Sequence, residues 1–147
     1  MDNNLDQVAE KLKNEAQVMV ITEGTSMQPM LRQHKDIVVI EQINRPIIKN
    51  DVLLYRVKSK TNLVLHRVLK VKEDHYVIRG DNTYVLEYIP KTDAVGVLKE
   101  FYRSGIRYNC AESKKYKAYV TFNRLTYPFR YLWKKVLKPK IKKLLGR

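Results

Sequence analysis

The chain has 147 residues, which is enough for one domain with a hydrophobic core, and 44% of its residues are hydrophobic. A single cysteine excludes an internal disulfide, and three histidines without paired spacing give no reason to expect a structural zinc site. The formal net charge of +14, from 29 Lys and Arg against 15 Asp and Glu, predicts an anionic partner.

The positive charge is concentrated at the C-terminal end of the sequence. Residues 113–147 contain 12 basic and no acidic residues, whereas residues 1–112 contain 17 basic and 15 acidic ones. This asymmetry predicts a domain over residues 1–112 and a basic, aromatic, helical extension over residues 113–147. A membrane surface and a nucleic acid are the two anionic partners that such an extension could bind.

In chain order, the first predicted element is a short amphipathic helix, in which Leu5, Val8 and Leu12 recur at helical spacing. Short β-branched, alternating runs follow and predict strands over residues 18–22, 37–40, 52–57, 63–71, 75–79, 94–101 and 106–108. Strands at such short intervals favour a compact, mostly antiparallel β fold. Residues 131–145 are predicted to be helical, with a kink at Pro139.

The first 15 residues are polar and acidic and lack the basic start and apolar stretch of a secretory signal peptide. No window approaches 18 uninterrupted apolar residues, so no transmembrane helix is expected. These features predict a cytoplasmic protein, with peripheral attachment to a membrane as a further option.

Residues 23–31, with the sequence EGTSMQPML, place Ser26 after a glycine turn at the end of an apolar strand. Such a turn exposes the serine hydroxyl and directs nearby backbone N–H groups to where an oxyanion would form. A serine that merely caps a loop would have a similar local sequence, so spacing alone leaves both interpretations open.

The pattern Gly24-x-Ser26-Met27-x-Pro29-x-Leu31 resembles the nucleophile box of type I signal peptidases, and LexA-type self-cleaving repressors share its Gly-x-Ser-Met part. In both families the serine attacks a peptide carbonyl. The resemblance implies a β-rich catalytic domain in which Ser26 is the nucleophile. It also implies that the Ser26 N–H and neighbouring amides form the oxyanion hole, with Thr25, Met27 and Pro29 as oxyanion or substrate-binding positions.

The resemblance extends over residues 18–100. Residues 34–39 and 49–54 are similar to the family's two segments in which Gly-Asp precedes an apolar strand, although Lys35 and Asn50 replace the glycines.

His66 is the candidate general base, because a serine hydroxyl is a weak nucleophile without one. Bacterial signal peptidases and LexA-type proteins have lysine at this place, whereas the endoplasmic-reticulum and archaeal enzymes and their spore-former relatives have His-Arg. The pair His66-Arg67 resembles the His-Arg branch. The other histidines, His34 and His75, are expected to be solvated.

Two carboxylates compete for the role of orienting the imidazole. The run Arg79-Gly80-Asp81-Asn82 resembles the Gly-Asp-Asn box of the His-Arg branch, in which a second acidic residue follows about six positions later. That position is Glu87 here. Asp81 is the preferred orienting residue, and Glu87 is the alternative, since Asp81 would also suit an Asx-type turn.

The predicted function is a serine endopeptidase that cleaves a signal or leader peptide of a preprotein through an acyl-enzyme, without a metal or cofactor. A self-cleaving regulator of the LexA type is an alternative, but residues 1–17 are too short for its DNA-binding domain. A non-catalytic membrane- or nucleic-acid-binding module on the same fold is another.

The segment 127–147 combines aromatic, apolar and cationic residues at helical spacing. A helix of this kind can lie in a bilayer interface, with its lysines towards anionic head groups, and an anionic membrane is the preferred partner. Packing on the β core with a solvated basic face, or a nucleic-acid patch, are the alternatives.

Overall fold

A computed structural model describes residues 5–57 and 63–145 of the chain. The protein is mostly β, with a short N-terminal helix and a helical C-terminal end, which confirms the predicted fold class. It divides into two compact units between Ser113 and Lys114.

The first unit contains one helix and an eight-stranded antiparallel sheet. Its elements are α1 (Leu5–Asn14), β1 (Gln17–Ile21), β2 (Ile37–Glu41), β3 (Val52–Arg56), β4 (Leu63–Val71), β5 (His75–Arg79), β6 (Glu87–Pro90), a single 3₁₀ turn (Lys91–Asp93), β7 (Ala94–Arg103) and β8 (Ile106–Asn109). The strand order is β1-β2-β7-β3-β4-β5-β6, and β8 pairs with β7. β1 and β6 are therefore the outermost strands of this order.

The core of the first unit forms where β3, β4, β5 and β7 meet. It is a cluster of buried side chains: Ile47, Leu53, Tyr55, Val68, Tyr76, Ile78, Ile89 and Val97. Strand β3 is buried along almost its whole length because it lies between β4 and β7 in the middle of the sheet. This central position explains its nearly continuous apolar sequence.

Two aspartates organise the turns that lead into β2 and β3. Asp36 is fully buried and accepts hydrogen bonds from the Arg32 side chain (2.7 Å from Nη2). Asp51 is held by Arg45 (2.7 Å from Nη1). Asn50, which stands where the resembling family has glycine, adopts a φ of 77°. Asparagine tolerates this left-handed conformation better than most residues, so the turn forms without the glycine.

The second unit is helical over α2 (Lys114–Leu132), a π-helical turn (Trp133–Leu137) and α3 (Lys138–Leu144). The helix predicted from residue 131 is confirmed, and helix also covers the tyrosine-rich residues before it. The π-helical turn ends two residues before Pro139, whose missing N–H cannot continue the regular hydrogen-bond ladder. Within the described ranges, the helices are all too short or too polar to cross a membrane.

Candidate active site

Ser26 lies in an irregular segment between β1 and β2. Gly24 starts the turn with a φ of 75°, a conformation that favours glycine. The Gln28 N–H donates to the Thr25 carbonyl (3.2 Å), and the Leu31 N–H donates to the Met27 carbonyl (3.0 Å). Met27 and Leu31 are buried, so apolar packing holds the residues that follow the serine in place.

The serine segment is bound to residues 80–82, which follow β5. The Asn82 N–H donates to the Ser26 carbonyl at 2.7 Å, and the Asn82 side-chain amide donates to the Thr25 carbonyl at 3.2 Å. A Cβ atom on Gly80 would lie 2.7 Å from the Ser26 carbonyl oxygen and 2.9 Å from Nε2 of His66. The serine segment and the imidazole therefore converge on Gly80, at a place where only glycine fits.

His66 is a buried residue of β4 and lies opposite Leu53 of β3. Its Nδ1 is 3.1 Å from Oε1 of Glu87 and 3.0 Å from the Tyr55 hydroxyl. The Tyr55 hydroxyl in turn donates to Oε2 of Glu87 at 2.6 Å. His66, Tyr55 and Glu87 thus form a closed triangle of polar contacts.

The protonation of this triangle follows from Tyr55, which is fully buried. Burial first, and then the hydrogen bond to Glu87, raise the pKa of Tyr55 well above its ordinary value. The phenol therefore stays protonated and donates a hydrogen bond to Glu87. Both neighbours of Nδ1, the Tyr55 oxygen and Oε1 of Glu87, then offer it oxygen lone pairs. This environment favours the His66 tautomer with the proton on Nδ1, and Nε2 is then the basic nitrogen.

Asp81 makes a different contact. Its two oxygens accept hydrogen bonds from Nε (2.8 Å) and Nη2 (2.7 Å) of Arg67, and both side chains are buried. Arg67 also donates to the Asn50 carbonyl (3.0 Å). Of the two acids that the sequence left open, the one at Nδ1 of His66 is Glu87, whereas the preferred candidate Asp81 pairs with Arg67. The reason is geometric, because His66 and Arg67 are consecutive in β4 and point to opposite sides of the strand.

Ser26, Met27, His66 and Glu87 line a common groove of about 710 Å³. Its remaining walls are mainly apolar and come from α1, β1, β2, β3, β4 and the residues beside them, including Val8, Val20, Ile21, Leu31, Val38, Ile40, Leu54, Val57, Leu63, Val64 and Leu65. A groove with an apolar wall and a few polar groups is typical of a binding site for an apolar or amphipathic ligand.

The other predicted positions lie around this groove or away from it. The Thr25 carbonyl binds Asn82, and the Pro29 carbonyl accepts a hydrogen bond from Arg103 (2.8 Å). His34 is exposed, and Nε2 of its ring lies 3.0 Å from the side-chain amide nitrogen of Gln33. His75 contacts the exposed carboxylate of Asp74 at 2.6 Å, and this contact lowers the pKa of Asp74.

Three features of the site were missing from the sequence predictions: the role of Tyr55, the clamp made by Asn82, and strand β6, which begins at Glu87. Tyr55 was detectable in principle, since a hydroxyl within an otherwise apolar central strand needs a polar partner. β6 carried no such signal, because the short sequence Glu87–Pro90 has no clear alternation and ends in proline.

Among the described residues, no group of three or more His, Cys, Asp and Glu side chains is arranged to hold a metal ion. No protein-family model matches the chain, and no curated protein matches it. The groove and the residues that line it are therefore the basis for inferring function.

Proposed function

We propose that this protein is a serine endopeptidase of the signal-peptidase/LexA-like type that cleaves signal or leader peptides through an acyl-enzyme. One observation carries the proposal: the backbone carbonyl of Ser26 and Nε2 of His66 both approach Gly80, both residues line one groove, and Glu87 contacts Nδ1 on the far side of the ring. A nucleophile, a histidine base and an orienting carboxylate are the three parts of the catalytic triad of serine peptidases that use histidine.

In the proposed reaction, Oγ of Ser26 attacks the scissile carbonyl while Nε2 of His66 takes its proton. The imidazolium that results is stabilised by Glu87, which contacts its Nδ1 side at 3.1 Å. Tyr55 donates to the other oxygen of Glu87 and holds the carboxylate against the ring. His66 then gives the proton to the leaving amine, and the acyl group stays on Ser26. Water then attacks the acyl-enzyme carbonyl while Nε2 of His66 takes its proton. His66 returns that proton to Oγ of Ser26 as the ester bond breaks, and the second product leaves as a carboxylic acid.

Backbone amides of the Ser26 segment are proposed to bind the oxyanion. The carbonyls of this segment already accept hydrogen bonds from Asn82 and Gln28, which holds its peptide planes in a fixed orientation. Fixed donors stabilise developing charge without reorganising during the reaction, and this is the main electrostatic contribution in acyl transfer.

The substrate is proposed to be an extended peptide with small apolar residues before the cleaved bond. β1 is the outermost strand next to β2, and its residues Val20 and Ile21 line the groove. An added peptide strand could pair along β1, and its alternate side chains would then point into the apolar groove.

Fluorophosphonate labelling and hydrolysis of a peptide library with small residues before the cut test this proposal. We expect labelling at Ser26, its loss in Ser26→Ala, and loss of hydrolysis in both Ser26→Ala and His66→Ala. Ser104→Ala, at an exposed turn, and His75→Ala serve as matched controls and should keep activity. Hydrolysis that survives in Ser26→Ala, or no hydrolysis of any peptide by the folded wild type, would overturn the proposal.

A further inference from the structure

We infer that the second unit, residues 114–145, binds the surface of an anionic lipid bilayer and inserts its exposed apolar side chains between the head groups. This inference concerns a surface outside the groove and does not depend on the peptidase chemistry. A bilayer is the proposed partner because it offers anionic charge and an apolar interior together.

The first observation is an exposed apolar row on α2. Phe122, Leu125 and Phe129 follow one another at spacings of three and four residues, which places them on one face of the helix. Their exposed fractions are 64%, 62% and 75%. Three large apolar side chains so exposed in one row are unusual in water and mark a contact surface.

A second exposed apolar row begins at the end of the π-helical turn. Leu137, Ile141 and Leu144 lie at spacings of four and three residues, on one face of α3 and the turn before it. All three are exposed, and Leu144 is 89% exposed. Trp133, between the two rows, is also exposed, and indole rings are favoured at the level of lipid head groups.

The second observation is the charge of the same segment. Residues 114–145 contain 11 Lys and Arg and no Asp or Glu. Six of the lysines follow Trp133, among the apolar residues of the turn and α3: Lys134, Lys135, Lys138, Lys140, Lys142 and Lys143. Lysines beside an apolar helical face reach anionic head groups while that face inserts, and each adds to the binding.

These two observations together select the bilayer over other occupants. A second copy of the chain would bring 11 further cations against the same segment, and like charges repel. A nucleic acid would satisfy the lysines but would leave the leucines facing phosphates and water, since its recognition relies on charge, hydrogen bonds and stacking.

The test is co-sedimentation of the full chain with vesicles of phosphatidylcholine, with or without phosphatidylglycerol. We expect at least about tenfold stronger binding to the vesicles with phosphatidylglycerol, and weaker binding as salt screens the charges. Equal binding to both kinds of vesicle, or tighter binding to a duplex or single-stranded oligonucleotide at the same salt concentration, would overturn the inference.

Two variants separate the apolar and cationic contributions. Phe122→Ser with Leu125→Ser and Phe129→Ser should lose most vesicle binding while oligonucleotide binding stays unchanged. Lys138→Gln with Lys142→Gln and Lys143→Gln should weaken vesicle binding at least about tenfold.

The matched control carries the same change of charge on the first unit, at the exposed residues Lys35, Lys70 and Lys72, each changed to Gln. It should bind vesicles like the wild type, and circular dichroism should show all three variants folded. A control that loses as much binding as the lysine variant of α3 would show that net charge alone matters, and would refute a dedicated surface.

Discussion

Two neighbouring residues of β4 each contact a carboxylate, and the two contacts differ in kind. His66 faces Glu87, whose side chain is 35% exposed at the groove, whereas Arg67 faces Asp81, whose side chain is 2% exposed. Asp81 lies two residues after the end of β5, and Glu87 is the first residue of the next strand. The contacts that each acid makes therefore depend on its partner and its burial rather than on its place in a motif.

The physical difference lies in the charge of each partner. A guanidinium is always cationic, so Arg67 brings a fixed positive charge to the two oxygens of Asp81 inside the protein. Glu87 instead accepts from the Tyr55 hydroxyl and faces an imidazole, a group that carries a charge in only one of its protonation states. In the proposed reaction Glu87 would stabilise the charge that the imidazole gains, while Asp81 holds β4 next to Asn82, which binds the Ser26 segment.

The largest effect is expected on kcat, from substitution of Glu87. Glu87→Gln should lower kcat about 10³- to 10⁴-fold, because an amide cannot stabilise the imidazolium and favours the wrong tautomer. Peptide hydrolysis at saturating substrate measures this, and urea unfolding should show a stability close to that of the wild type. A Glu87→Gln variant with nearly normal kcat would show that another residue orients the imidazole.

The Arg67–Asp81 pair should show the opposite balance. Asp81→Ala should destabilise the protein by about 3–5 kcal/mol in urea unfolding, because it leaves the guanidinium buried without its counter-charge. The double variant Arg67→Met with Asp81→Leu should recover much of that stability, since no charge then remains buried. A single Asp81→Ala variant as stable as the wild type would remove the structural role assigned to the pair.

Substitution of Gly80 should have an effect of intermediate size on stability and kcat, because it would disturb both the serine segment and the imidazole. In Gly80→Ala, the new methyl group would press on the Ser26 carbonyl and the His66 ring, at a cost of about 1–3 kcal/mol and at least tenfold in kcat. Gly105→Ala is the matched control, because Gly105 has a φ of 79° but open space around its Cα. The control should lose stability but keep kcat, and equal loss of kcat in both variants would contradict the close approach at Gly80.

The smallest effect is expected for Tyr55→Phe, which removes one hydroxyl from the triangle and should cost about 1 kcal/mol and up to about tenfold in kcat. The contribution of Tyr55 to stability should depend on pH in the alkaline range. Because the folded-state pKa of Tyr55 is raised, its stabilising contribution is complete below the unfolded pKa of about 10. Above that pH the unfolded phenol loses its proton first, and stability falls by about 1.4 kcal/mol per pH unit.

Urea unfolding of wild type and Tyr55→Phe between about pH 9 and pH 11 measures that difference. The wild type should lose its advantage as pH rises, since phenylalanine does not titrate. Parallel pH dependences for the two proteins would show that Tyr55 ionises as readily folded as unfolded.

Local patterns in the sequence were enough to predict most of the sheet. Residues 52–57 and 63–71 are apolar and β-branched, and the structure pairs β3 and β4 in this region. β6 was missed because Glu87–Pro90 becomes a strand only through pairing with β5, in which Glu87 lies opposite Ile78. Short outer strands of this kind depend on long-range hydrogen bonds more than on their own residue preferences.

Residue type and spacing along the chain were enough to reveal the segregation of charge towards residues 113–147 and the strand pattern. Ser26 and His66 became candidates through the resemblance of their motifs to those of the signal-peptidase/LexA family. The contacts of Glu87 with His66 and of Asp81 with Arg67 are visible in the folded chain alone. Both acids lie within a few residues of each other and are chemically alike. The choice between them was made by the direction of side chains on β4 and by the pairing of β5 with β6, which no local pattern encodes.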